Sequence, residues 1–436
     1  MQRLRRRFAL THEAGVTRRY ALLAGVQEFA IWLPLPVLVL HLNERGIDLA
    51  LIGFAFAVRA VCVVVLELPT GGLADAIGRK PIALASQAFT FVSLVFLLVV
   101  GGPVTLFAYA LFQGIGSALH SGALEAWYVD RLRTANAGVA LQPHLASIAV
   151  AQTGAMLAGA AIGGTLPALV SGLALPWPLA GFGIALMAGL ALRAVALWLT
   201  LVLVDEPEFV GTSRSAALGT AAIVRDGLGL VRSVPVMRYL LVGGAAMGVA
   251  IVSLETLWQP IAGLTFGVDP EGSAVFGALG FVLGAAGLLG SLAVMRFGHL
   301  VPGGPPVLAG VSQLVKGAAM LLLALHAGAL GVGLGLGLAF FAIATQNVPH
   351  DTLVNDAVPA ERRSIMLSIN SLVFFVGVAL GSATLGPLAS ATDPRLALAV
   401  AAAWTLLACG AYVGVAATLR AGARASAESA EGATGR

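Results

Sequence analysis

The sequence predicts an all-α membrane protein of twelve transmembrane helices in two pseudo-symmetric six-helix bundles, with both termini cytoplasmic. Three observations predict it. Mean hydropathy is +0.94. Of the 436 residues, 58% are hydrophobic and 11% charged, where an ordinary soluble domain carries about 25% charged residues, and a water-soluble core of this length has no room for so much apolar surface. Finally, apolar runs of the ~20 residues that cross a bilayer recur along the whole chain, and basic residues collect in alternate segments between them.

The lead-in "MQRLRRRFALTHEAGVTRRY" is basic and polar, without an apolar region followed by a small-residue cleavage site, and reads as a cytoplasmic anchor. Six spans follow near 20–42, 49–73, 81–100, 105–129, 146–170 and 178–204. Six more lie near 238–262, 274–295, 305–325, 329–350, 364–389 and 395–419. With the lead-in inside, twenty Lys and Arg fall in inner segments and two, Arg45 and Arg395, in outer loops; Arg59, Arg193 and Lys316 fall within spans. This asymmetry orients the chain N-in and C-in, multi-pass in the cell membrane. It also accounts for the net charge of +4 without a nucleic-acid partner. Cys62 and Cys409 sit in separate apolar runs and read as small buried hydrophobes.

The longest polar interruption divides the chain into a bundle over 1–204 with its lead-in, a central cytoplasmic loop over 205–237 and a bundle over 238–419. A polar, low-complexity tail over 420–436 reads as disordered. Within the loop, "AALGTAAIVRDGLGLVRS" is expected to lie as a short amphipathic helix on the inner surface. The halves echo each other: "RYALLAGV" and "RYLLVGGA" stand 219 residues apart, "AIGRK" and "RFGHL" 220. The matching offsets point to a duplicated six-helix unit.

Between spans two and three lies "TGGLADAIGRK", residues 70–80. Three charges in one inner turn, flanked by glycines that permit close helix approach, exceed what positive-inside bias alone explains. Gly71, Asp75, Gly78, Arg79 and Lys80 resemble the signature turn of the major facilitator superfamily. "ELPTG" (67–71), "SGALEAWYVDRL" (121–132) and "VPAERRSIMLSINSL" (358–372) resemble other segments of bacterial members. Ala76, Ala110 in "ALFQGIGSA" and Ala160 in the antiporter-like "GAAIGG" (159–164) depart from the family patterns, standing where a basic residue, an arginine and a proline are usual. The resemblance implies alternating access, with Asp75 near the start of span eleven at Ser364 and Arg79 in the same charge cluster, latching the inner ends of the halves.

Ionisable groups within spans are costly and face a bundle interior or a water-filled cavity. Glu28, about 10 Å up from the inner end at 1.5 Å per residue, is the first candidate for a proton or cation site, with Trp32 at i+4 on its face. Glu255 and Trp258 form a second acid–aromatic pair. Arg59 and Arg193 either neutralise acids or receive an anion, and Lys316 serves substrate, coupling or a buried pair. Glu67 and Glu125 read as structural gating charges. His120 and Glu125, at i+5, share no helix face for a metal, and neither a cofactor motif nor a nucleophile–base pair of an enzyme is present. The expected function is secondary active transport of a small molecule by a monomer in the lipid bilayer. The resemblance favours proton-coupled export of an amphipathic or drug-like compound. Proton-coupled uptake is the alternative if Arg59, Arg193 and Lys316 line one anion-receptive cavity, and a non-transporting sensor is the different-class alternative.

Overall fold

The structure, a computed structural model, describes residues 12–71, 73, 77–120, 122–206, 229, 231–326, 328–359 and 362–434. Among them every regular element is a helix, in the order α1 (Glu13–Trp32), a 3-10 turn (Leu35–Val37), α2 (Leu38–Glu44), α3 (Leu49–Gly71), α4 (Arg79–Leu98), α5 (Pro103–His120), α6 (Ala123–Ala135), α7 (Leu141–Val170) and α8 (Gly183–Leu203). The chain continues with α9 (Pro235–Phe266), α10 (Ala274–Phe297), α11 (Gly304–Leu325), α12 (Ala329–Asp356), α13 (Arg363–Ala391), α14 (Pro394–Leu407) and α15 (Cys409–Thr434). In lipid a spanning backbone must satisfy its own polar groups, which is why this composition folds as helices throughout.

Eleven helical stretches among the described residues are long and apolar enough to cross a membrane. They match eleven of the expected spans, and α5 takes the place of the fourth. The sequence predicts one span over 105–129. The helix instead stops at His120 and restarts at Ala123, because Gly122 turns the backbone left-handed at φ 72°, a conformation that costs glycine little. Span one is interrupted by Pro34 and Pro36 around the 3-10 turn, where proline removes backbone donors. The last helix runs on to Thr434, so most of the tail expected to be disordered is helical; alanines in "RAGARASAESAEGAT" favour that state. The amphipathic segment of the central loop lies outside the described residues.

The chain forms two compact units. Unit 1 comprises Met1–Leu218 together with Ala262–Gly284, and unit 2 comprises Gly219–Ile261 with Ala285–Arg436. The end of α9 and the start of α10 thus group with unit 1. Glycine contacts explain this: a Cβ on Gly164 of α7 would lie 2.2 Å from the Gly277 nitrogen. The Ser273 hydroxyl also accepts a hydrogen bond from the Ala168 amide at 3.0 Å.

Inside unit 1, α7 presses on α1, where a Cβ on Gly163 would lie 1.6 Å from the Leu33 carbonyl oxygen and one on Gly159 would lie 3.0 Å from that of Phe29. Inside unit 2, α13 presses on α9 in the same manner. A Cβ on Gly377 would lie 2.2 Å from the Ala245 oxygen, and one on Gly381 would lie 3.2 Å from the Val249 Cα. Gly159 and Gly377, like Gly163 and Gly381, stand 218 residues apart. An offset within two residues of the sequence repeats thus appears as a duplicated packing device of small residues four apart.

Candidate functional site

In unit 1 the first candidate group is assembled from α1, α4 and α8. Glu28 is half-buried on α1 with Trp32 one turn on, the i+4 spacing that puts two residues on one face. Across from it Arg193 of α8, 8% exposed, interacts electrostatically with Glu28. Arg193 also donates to the Gln87 side-chain oxygen of α4 at 3.4 Å. A buried guanidinium is tolerated only when its charge and its hydrogen bonds are compensated; Gln87 accepts a hydrogen bond and Glu28 contributes an attractive charge from a different helix. The Arg59 guanidinium lies over the Phe56 ring, 4.6 Å from its centre. Glu67 is half-buried near the end of α3, and Glu125 is exposed in the first turn of α6.

Asp75, the centre of the expected latch, lies outside the described residues. The rest of the signature turn is held within unit 1. Gly78, at φ 100°, brings α4 so close to Glu206 that a Cβ there would lie 2.9 Å from a carboxylate oxygen. The two Glu206 oxygens accept from the Arg79 and Lys80 backbone amides, both at 3.0 Å, which places a carboxylate on the positive end of α4. The Arg79 guanidinium pairs with Asp130 of α6, and Lys80 donates to the Leu201 carbonyl at 3.0 Å. Asp130 and Glu206 are functional-looking acids that sequence reasoning passed over. Asp130 stands in the quoted "YVDRL", Glu206 in the "DEP" that follows span six.

Unit 2 holds a longer arrangement. Lys316 of α11 is 1% exposed and donates to the Gln346 side-chain oxygen of α12 at 2.5 Å. That leaves the Gln346 amide nitrogen to donate twice, to Gln313 at 2.7 Å and to the Tyr412 hydroxyl at 2.9 Å. Tyr412 lies 2.9 Å from His350 Nδ1, and His350 Nε2 lies 3.1 Å from the Asn370 side-chain oxygen. With the imidazole neutral, only the Nε2–H tautomer satisfies both contacts, so Tyr412 donates to Nδ1 and Nε2–H donates to Asn370. The donors therefore all point one way, from the lysine ammonium toward Asn370. Gly244 of α9 permits the last step, since a Cβ there would lie 2.9 Å from the Asn370 oxygen.

This relay ends at a cavity of about 570 Å³ inside unit 2, lined by His350, Asp351, Asn370, Met247, Phe374 and Phe375 among others. Lys316 does not line it. Glu255 is half-buried and Trp258 buried on α9 of unit 2; neither lines this cavity. Sequence reasoning found Lys316 but missed Gln346, His350, Asn370 and Tyr412, none of which carries a formal charge at neutral pH. A signal was present, because "TQNVPHD" (345–351) is a polar run inside an apolar span.

The comparisons with known proteins accord with this architecture. A sequence profile of the Major Facilitator Superfamily matches residues 20–352. No curated protein sequence matches. Among solved structures, the chain resembles a mutant of the nucleoside transporter NupG at TM-score 0.77 and 17% identity, over 92% of this chain and 99% of that one. A bacterial homolog of the human lysosomal transporter Spinster gives TM-score 0.70 and 15% identity, over 93% and 97%. A POT family transporter in complex with 5-aminolevulinic acid gives 0.67 and 13%, over 90% and 94%. At these identities the likeness is one of fold, and the matched profile covers most of the chain. This chain belongs to the Major Facilitator Superfamily and is a multi-pass membrane transporter, not an enzyme.

Proposed function

We propose that the chain is a secondary active transporter that exports a small amphipathic molecule in exchange for protons by alternating access, with Glu28 as the group that takes the proton. The observation that carries this reading is the contest for Arg193. Ionised, Glu28 sets a negative charge against the buried guanidinium; protonated, it withdraws that charge while the hydrogen bond from Arg193 to Gln87 remains. A proton thus changes the energy of the packing between α1 and α8, and a two-state transporter responds to such a differential.

Export rests on the resemblance to efflux members; the glycine run 159–164 resembles an antiporter motif but carries Ala160 in place of its proline, which weakens that support. Proton-coupled uptake is the alternative, favoured if Arg59, Arg193 and Lys316 line one anion-receptive cavity; Lys316 is hydrogen-bonded to Gln346 within unit 2.

The test is a proteoliposome assay in which candidate compounds drive proton movement. Wild-type protein is expected to couple the two, and Glu28→Gln to abolish substrate-driven proton movement while still binding substrate. Undiminished proton movement in Glu28→Gln rejects Glu28 as the coupling group.

A further inference from the structure

We propose that the unit 2 cavity is a binding subsite for a small organic cation, an amine carrying an aromatic body and a hydrogen-bond acceptor. Asp351 is its counter-ion and the Asn370 amide its donor. The inference rests on the transporter reading only for its biological use; the subsite itself stands on the geometry.

Among the described residues lining the cavity, Asp351 alone carries a formal charge at neutral pH. It is exposed, so its carboxylate is open to an ammonium. Arg363, a cation near this end of α12, donates instead to the Asn355 backbone carbonyl at 3.2 Å. The Lys316 ammonium is spent on Gln346, four hydrogen bonds back from Asn370. The described lining therefore supplies one negative charge and no positive one.

Asn370 is oriented by the relay. Its oxygen faces His350 Nε2, and the amide nitrogen, on the other branch of the same planar group, is left to donate elsewhere. A ligand acceptor such as an amide carbonyl meets that need. Phe374 and Phe375 stand at 5.3 Å between ring centres and nearly perpendicular, and with Met247 they offer an apolar wall to an aromatic ring. A pocket with a few fixed polar groups on an otherwise apolar surface is the usual form of a small-molecule site.

A charge series on one scaffold tests this, with full-length protein in nanodiscs: procainamide, an aryl amide with a cationic amine; benzamide, neutral; and hippurate, anionic. Wild-type protein is expected to bind procainamide saturably and at least tenfold more tightly than benzamide, with hippurate failing to compete. Asp351→Asn is expected to weaken procainamide by about tenfold and leave benzamide unchanged, and Asp351→Glu to restore the preference. Asn370→Leu is expected to weaken procainamide and benzamide alike. Unchanged procainamide affinity in Asp351→Asn, competition by hippurate, or no saturable procainamide binding to wild type overturns the proposal. Asp351-dependent binding without movement of procainamide in proteoliposomes supports the subsite and counts against transport of this class. Proton-coupled transport of other compounds by a wild-type protein that shows no saturable procainamide binding overturns the subsite and leaves the transport reading standing.

Discussion

Lys316 shows how one residue can be legible in a sequence while its purpose is not. A lysine in the middle of an apolar span costs free energy unless it is satisfied, so charge counting finds it at once. Its satisfaction comes from Gln346, and that of Gln346 from Gln313 and Tyr412. These neutral polar side chains lie on different helices, and no spacing along the chain brings them together. Lys316→Met keeps the length of the side chain but leaves the Gln346 oxygen without its donor in a buried place, which typically costs about 1–3 kcal/mol. Denaturant or thermal unfolding in detergent should show that loss. A variant as stable as wild type would mean that the lysine end of the relay contributes nothing. Arg79 teaches the complementary lesson, since its charge was evident but its partner Asp130 stands 51 residues away on α6.

At the scale of elements, order and type were readable and the ends were not. Apolar runs gave the succession of spans because burial in lipid depends on composition alone. The breaks at Pro34 and Gly122 and the helical extension to Thr434 depend on local backbone geometry and packing. The glycines of α7 also divide by context. Gly163 has the Leu33 carbonyl where its Cβ would stand, whereas Gly154, on the same helix, has nothing within 4 Å. Gly163→Val is therefore expected to destabilise the protein by at least the roughly 1–3 kcal/mol typical of overpacking. Gly154→Val should fall near neutrality, and the difference in melting temperature between the two variants checks the contact. The helix α4 offers a second prediction. Glu206→Gln removes a carboxylate from two N-terminal amides, and should cost about 0.5–2 kcal/mol, less at high salt.

For the whole molecule, duplication was visible in sequence as faint offsets and becomes physical in the paired glycine contacts of α7 with α1 and of α13 with α9. The two units nevertheless carry different chemistry: an acid–arginine contest in one and a one-way relay to a cavity in the other. Coupling needs both proton and substrate to bias one equilibrium. Glu28→Gln should therefore sever proton movement from substrate movement while leaving substrate counterflow intact, a result read by comparing counterflow with proton uptake in the same vesicles. The interrupted fourth crossing has one more consequence. α5 is not among the eleven helices apolar enough to cross by length and composition, yet it packs against both α3 and α4. During biogenesis it should then leave the translocon poorly by itself and enter lipid only once its predecessors are there to receive it. A ribosome-bound chain truncated after α5 should keep a C-terminal acceptor site on the cytoplasmic side and unglycosylated, and so report a completed crossing, only when α3 and α4 are present upstream; with both deleted the site should be glycosylated.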